Sequence, residues 1–206
     1  MKSSYPGVVT ADIIEVRFPF SGKISAVNKQ TGEVVKQGEW LASLGKKQLQ
    51  TELDKELADY ERARAHFDAA SESQKQDLQL SLNVSVKNVE LAKMRLDQAD
   101  LISPVEGVVV NSGSLRVGLN ATPAGNSVEI LDVNSYRFEF EITQNDLEKF
   151  QKPQKVLISF FKGTKDDVEA ETTPPVGGTK GKFAISVKLP KSDVILPGLE
   201  GEASIA

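Results

Sequence analysis

Cysteine is absent from these 206 residues, and histidine occurs once, at His66. A chain without thiols forms no disulfides, thiolate metal sites or cysteine nucleophiles, and it leaves the redox compartment open. A single imidazole excludes catalytic or metal arrangements that need two. Methionine is limited to Met1 and Met94, which excludes a methionine-based copper or silver relay. Aromatics make up only 6%, so any core must be built mainly from Val, Ile, Leu and Ala. No stretch approaches the ~20 apolar residues that cross a bilayer. Lys2 is followed by no apolar run, so the N-terminus is not a signal peptide. Two expectations remain: a cytosolic protein, or one whose signal or anchor lies upstream of these residues. Nor is there a basic block: 25 basic and 29 acidic residues are spread through the length, which argues against nucleic acid.

What is present is ordinary for a folded domain, with 39% hydrophobic and 26% charged residues. The chain changes character at about residues 45, 101 and 135. Val8 to Leu44 is rich in β-branched residues and broken by Gly22, Gly32 and Gly38. Ile14, Val16, Phe18 and Phe20 alternate with the period of a half-buried strand. From Lys46 to Asp100 there is neither glycine nor proline, which predicts helix. Leu49, Leu53, Leu57, Tyr60 and Phe67 form one apolar stripe, and Leu78, Leu82, Val86, Val89, Leu96 and Ala99 a second. The polar run Ser71 to Asp77 lies between them. One continuous helix would expose its stripe; two antiparallel helices folded at the polar run bury one stripe on the other. Strand texture returns at Leu101, with Pro104, Gly107, Gly113, Gly118 and Gly125 as breaks. Phe138–Ile142, Val156–Phe160 and Phe183–Val187 alternate, with a helical turn at Asn145–Phe150 and a loop at Thr172–Thr179. Such spacing predicts a small barrel.

The two glycine-rich segments repeat one pattern. Gly22, Gly32, Gly38, Leu41 and Leu44 have offsets of 0, 10, 16, 19 and 22; Gly107, Gly118, Gly125, Val128 and Leu131 have offsets of 0, 11, 18, 21 and 24. Neither half has enough strands to enclose a core alone, so the two should pack as a sandwich interrupted by the helices. Gly22, Gly32, Gly38, Pro104, Gly107, Gly118 and Gly198 are expected at structural turns. The glycines do not form a phosphate loop, since a strand–turn–helix setting is missing.

Phe20–Ile24 followed by Gly32–Ala42 resembles the first half of a biotinyl-lipoyl domain, and Asp100–Val109 resembles the start of its second half. Halves split by a helical hairpin resemble the membrane fusion proteins, or periplasmic adaptors, of secretion and efflux. Phe138–Ile142, Asn145–Leu147 and Pro197–Gly201 are similar to the adaptor barrel. The resemblance implies a mainly β fold: a split lipoyl-like β-sandwich, an antiparallel coiled-coil hairpin inserted in it, and a C-terminal β-barrel. Its parts are residues 8–44 and 101–134 for the two halves, 45–100 for the hairpin with its tip at about 71–77, and 135–206 for the barrel. Hinges are expected near Leu44–Lys46, Leu101–Pro104 and Asp132–Ser135. The resemblance also implies a non-enzymatic subunit without cofactor on the extracytoplasmic side of a bacterial membrane. Its partners would be an inner-membrane transporter, ABC-type or proton-driven, an outer-membrane channel where one exists, and further copies in a ring.

In Gram-negative relatives the hairpin tip carries an Arg, a Leu four residues on and a Ser seven further. Arg62 and Ser73 have that separation, while His66 stands in the Leu position. Arg62, His66, Ser71 and Ser73 are therefore candidate partner contacts, and the plain reading is a solvated polar tip. The alternative function is a biotinyl or lipoyl carrier subunit, for which Lys46 or Lys47 would be the modified residue. A carrier lysine needs an exposed β-turn, and here helix is expected. Trp40 is expected to pack where the sandwich meets the hairpin base. The pairs Asp166–Asp167 and Glu169–Glu171 are expected on an exposed loop or strand face.

Overall fold

The computed structural model describes residues 4–161, 167–177, 181–191 and 195–205. Met1, Lys2, Asp166, Gly178 and Thr179, named above, lie outside the described residues. In chain order, β1 (Ser4–Thr10), β2 (Ile13–Arg17), β3 (Gly22–Val27), β4 (Val34–Val35) and β5 (Trp40–Leu44) precede two helices, α1 (Lys47–Asp68) and α2 (Glu72–Asp97). Next come β6 (Asp100–Ile102), β7 (Gly107–Asn111), β8 (Asn120–Ala121), β9 (Ser127–Asp132) and β10 (Arg137–Thr143). A 3-10 helix (Gln144–Phe150) leads into β11 (Lys155–Phe160), β12 (Val168–Glu171), β13 (Val176–Gly177), β14 (Lys182–Lys188) and β15 (Glu200–Ile205). The chain divides into two compact units: Met1–Ile14 with Glu106–Val108 and Leu131–Ala206, and Glu15–Val105 with Val109–Ile130.

The second unit contains the first glycine-rich segment and most of the second, whose Gly107, Val108 and Leu131 fall in the first unit. One sheet has the order β2-β9-β7-β4 and the other β6-β5-β3-β8. The repeat makes β2, β3, β4 and β5 the counterparts of β6, β7, β8 and β9. Exchanging each strand for its counterpart converts one sheet order into the other, so each sheet takes two strands from each half. The core is shared accordingly: Phe18, Ile24, Val35, Leu41 and Leu44 are buried with Leu101, Val109, Ala121, Val128 and Ile130. Burying each large side chain of this kind contributes about 1.5–3 kcal/mol, and neither half could supply the opposing wall by itself. Gly32 and Gly118 both have positive φ, 94° and 91°, a region open to glycine and costly for other residues; Gly38 and Gly198 share it. Pro104 lies in a bend between β6 and β7. Gly22 and Gly107 differ from the expectation: they open β3 and β7 rather than forming turns. At Gly22 the requirement is closeness, since a Cβ there would stand 3.0 Å from Leu44 Cδ1.

The run without breakers forms the two helices, which pack on one another. Leu49, Leu53, Tyr60 and Phe67 of α1 are half-buried, as are Leu78, Leu82, Val86, Val89 and Leu96 of α2. Leu57 belongs to the expected stripe but is exposed. The helices run antiparallel, tied by Arg95 Nη1 donating to Glu52 Oε1 at 2.7 Å. With 22 and 26 residues, they extend about 33 and 39 Å at 1.5 Å per residue. The turn between them is 69–71, not 71–77: Glu72 to Asp77 already belong to α2. Polar composition suggested a loop there, yet Glu, Gln and Lys are good helix formers when solvated. Ser71 is extended (φ −70°, ψ 159°), and its carbonyl accepts from Gln74 N at 2.9 Å and Lys75 N at 3.2 Å. Glu72 then stands in the first turn, where the helix dipole favours a negative charge.

The first unit is a seven-stranded sheet in the order β12-β11-β15-β1-β10-β14-β13. β1 pairs antiparallel with β10 on one side and β15 on the other. Residues 8–10, expected in the first half of the sandwich, therefore belong to this sheet; β-branched texture identifies a strand but not its partner. Thr172, just past β12, bridges to Val187 of β14, and Thr173 N donates to Ser186 O at 2.9 Å. These bonds bring β12 back to β14 and close the strands around a core of Tyr5, Phe138, Phe140, Ile142, Phe150, Val156, Ile158 and Ile185. The aromatic rings meet directly: Tyr5 stacks on Phe140 at 5.7 Å and meets Phe150 edge-on at 5.4 Å. Gly7 makes room for this, because a Cβ there would collide with Glu139 O and lie 2.7 Å from the Phe138 ring. Glu169 and Glu171 are exposed on β12, where Glu169 pairs with Lys155, while Asp167 accepts from Ser159 Oγ at 2.7 Å.

Candidate functional site

The hairpin presents two places of interest, its tip and its root. At the tip, Ser71 Oγ donates to Gln74 Oε1 at 2.8 Å and lies 3.1 Å from Ser73 Oγ. Both serines are exposed. His66 is exposed in the last turn of α1, where the carbonyl end of the helix favours a positive charge. Arg62 donates to Asp59 Oδ1 at 2.9 Å. It lies six residues before the end of α1, about 9 Å back along the axis. The structure thus gathers Ser71 and Ser73, with His66 on the adjoining turn, and leaves Arg62 farther down the shaft.

A second apolar stripe, which the sequence reading missed, runs along the outside of α2. Leu80, Val84, Leu91 and Met94 are all exposed, at steps of four, seven and three. The same periodicity that identified the inner stripe carries this signal, offset by two residues.

At the root, α1 and α2 issue from neighbouring strands. β5 pairs with β6 through Trp40↔Ile102, Ala42↔Leu101 and Ser43↔Asp100. Asp100 accepts from Lys46 Nζ at 2.6 Å and from Ser43 Oγ at 2.8 Å, and its side chain is only 14% exposed. Lys46 Nζ also stands 5.6 Å from the centre of the Trp40 ring. Trp40 lies where the sandwich meets the hairpin base, as expected, but is 55% exposed rather than packed away, beside exposed Ile102. Neighbouring Glu39 takes hydrogen bonds from Lys29 and from the Lys36 amide, which hold its carboxyl below the usual carboxylate range. Lys46 is engaged by Asp100, and Lys47 is the first residue of α1; neither stands on an exposed β-turn. The role of Asp100 was not legible locally, because its partner lies 54 residues away. Among the described residues there is no cluster of acidic or imidazole side chains that could hold a metal ion. No described helix is long and apolar enough to cross a membrane.

No model of a known protein family matches the chain. An uncharacterised protein of Haemophilus influenzae is 23% identical over 148 residues, 68% of this chain and 38% of that relative's length. The chain thus spans less than half of that protein. Among solved structures, a MacA-MexA chimera containing the Pseudomonas aeruginosa MexA α-hairpin domain superposes with a TM-score of 0.81 at 20% identity, covering 100% of this chain and 82% of that one. A membrane fusion protein of Streptococcus pneumoniae R6 gives 0.77 at 18%, covering 99% and 98%. MacA of Actinobacillus actinomycetemcomitans gives 0.65 at 17%, covering 100% and 79%. The fold is that of the membrane fusion, or periplasmic adaptor, proteins.

Proposed function

We propose that the chain is an adaptor subunit of a bacterial export or efflux pump, placed on the extracytoplasmic side of the cell membrane. It links an inner-membrane transporter, ABC-type or proton-driven, to the outer part of the envelope, and it does no bond chemistry. The observation that carries this reading is the insertion of a long helical hairpin between two interleaved halves of one sandwich. That arrangement spends 56 residues, 45–100, on reach rather than on enclosing a pocket. In this reading the sandwich is lipoyl-like, the helices pair as a coiled coil, and the strands around Tyr5 and Phe140 form the adaptor barrel.

The tip residues Ser71, Ser73 and His66, with Arg62 below them, are the contacts offered to a channel's helical ends, extending the coiled coil through hydrogen bonds. The outer stripe of α2 supports self-association into a ring, because a single chain leaves those apolar side chains uncovered. The test is isolation of the native complex from cells carrying a photocrosslinking residue at Ser73. A transporter should co-purify, and a tip adduct should form only with an intact hairpin. If no transporter co-purifies, and export survives deletion of residues 50–94, the adaptor reading is wrong.

A further inference from the structure

The hairpin root, where a hinge is expected near Leu44–Lys46, is closely bonded. The ladder between β5 and β6 continues to Leu44 N, which donates to Ala99 O at 2.8 Å, and the helical pattern begins with Lys46 O, which accepts from Gln50 N at 2.8 Å. Only Gly45 lies between those two bonds, and its own amide donates to Lys23 O at 2.8 Å. Gly45 stands outside the positive-φ region and has room for a Cβ, the nearest atom being Lys23 O at 3.6 Å. A pivot there is opposed by that one backbone bond and by neither strain nor crowding, so a further restraint must come from side chains. The restraint is in place: Lys46, on the helix side of Gly45, holds Asp100 of β6, while Ser43, on the strand side, holds the other carboxylate oxygen.

We propose that Lys46, Asp100 and Ser43, with Trp40 beneath the ammonium, form a latch across Gly45 that fixes the direction of the hairpin relative to the sandwich. One carboxylate grips both sides of the pivot, so losing the Lys46 bond lets the helices swing more widely about Gly45. Leu49 packs against the sandwich core from α1, and Ala99 is buried in it just beyond α2; these set the resting direction, and the latch sets how narrowly it is kept. The inference rests on this geometry alone and holds whatever the hairpin touches.

The absence of cysteine makes the test direct, since Gln76→Cys near the tip and Val117→Cys on the sandwich can be spin-labelled without background. Both positions are exposed. Pulsed EPR should give a narrow distance distribution in this background. Asp100→Asn should broaden it about twofold or more, and Lys46→Met should do the same. Adding Gly45→Ala to either variant should narrow it again, because alanine stiffens the pivot without a clash. A width unchanged by both Asp100→Asn and Lys46→Met overturns the latch. Broadening that Gly45→Ala does not reverse overturns the pivot. Lys46→Met keeps the test valid if Asp100→Asn fails to fold, since Lys46 is partly exposed and Ser43 Oγ still donates to the Asp100 carboxylate.

Discussion

Ile24 and Val109 make matching backbone bonds to opposite halves of the chain. Ile24 N donates to Leu119 O at 2.8 Å and Ile24 O accepts from Gly118 N at 2.8 Å; Val109 N donates to Glu33 O at 3.0 Å and Val109 O accepts from Gly32 N at 2.8 Å. Each residue follows the first glycine of its repeat by two positions, and each bonds to the positive-φ glycine of the other repeat and the residue after it. The sequence repeat is therefore a structural two-fold relation, and the halves are bonded to each other as well as within themselves.

Loss of core volume in one half should be felt in the other. Ile24→Ala and Ile130→Ala, at buried positions in the first and second halves, should each cost about 2–5 kcal/mol. Trp40 is the sole tryptophan and lies in the first half, so its fluorescence reports urea unfolding there. Ile130→Ala should move the Trp40 midpoint as Ile24→Ala does. A Trp40 transition untouched by Ile130→Ala would mean that the halves do not share a core.

Gly32→Ala isolates the cost of backbone conformation. The position has φ of +94° and no atom within 4 Å of a built Cβ, so no clash contributes. The expected loss is about 1–2 kcal/mol, read by the same unfolding curve. The same change at Gly45, where φ is ordinary, should be neutral or slightly stabilising.

Gly7→Ala tests close packing instead. The added methyl would meet Glu139 O and the Phe138 ring, so β1 must move away from β10. Overpacking of this kind costs about 1–3 kcal/mol. Near-ultraviolet circular dichroism of the Tyr and Phe cluster should show a lowered melting temperature.

Asp146 gives a pH dependence of defined sign. Lys149 Nζ donates to its carboxylate at 2.6 Å and Thr143 Oγ1 at 3.3 Å, and these bonds lower its pKa from the ordinary value. A depressed folded pKa adds stability above the unfolded value and loses it as pH falls through the folded one. The contribution should thus fade below about pH 4. The pair is partly exposed, so the effect stays under about 1 kcal/mol. Thermal unfolding of Asp146→Asn should show a shallower loss of stability on acidification than the parent chain.

Local chemistry by itself determined the elements. Freedom from glycine and proline over 46–100 made helices, the apolar stripes chose their facing sides, and the spacing of Gly22, Gly32 and Gly38 against Gly107, Gly118 and Gly125 marked two equivalent halves. These features are legible because turn conformation, helix propensity and side-chain period belong to neighbouring residues. Only the tertiary structure decided partners. β1 could have joined the sandwich and instead lies between β10 and β15, with Ser4 opposite Ser204. The tip moved to 69–71 because polar residues solvate a helix end as readily as a loop. Trp40 turned outward to Lys46, and Lys46 found Asp100 across the whole hairpin. A strand's backbone groups bond equally well to any extended neighbour, so pairing across long separations is settled by which arrangement closes both cores, and no window of sequence contains that choice.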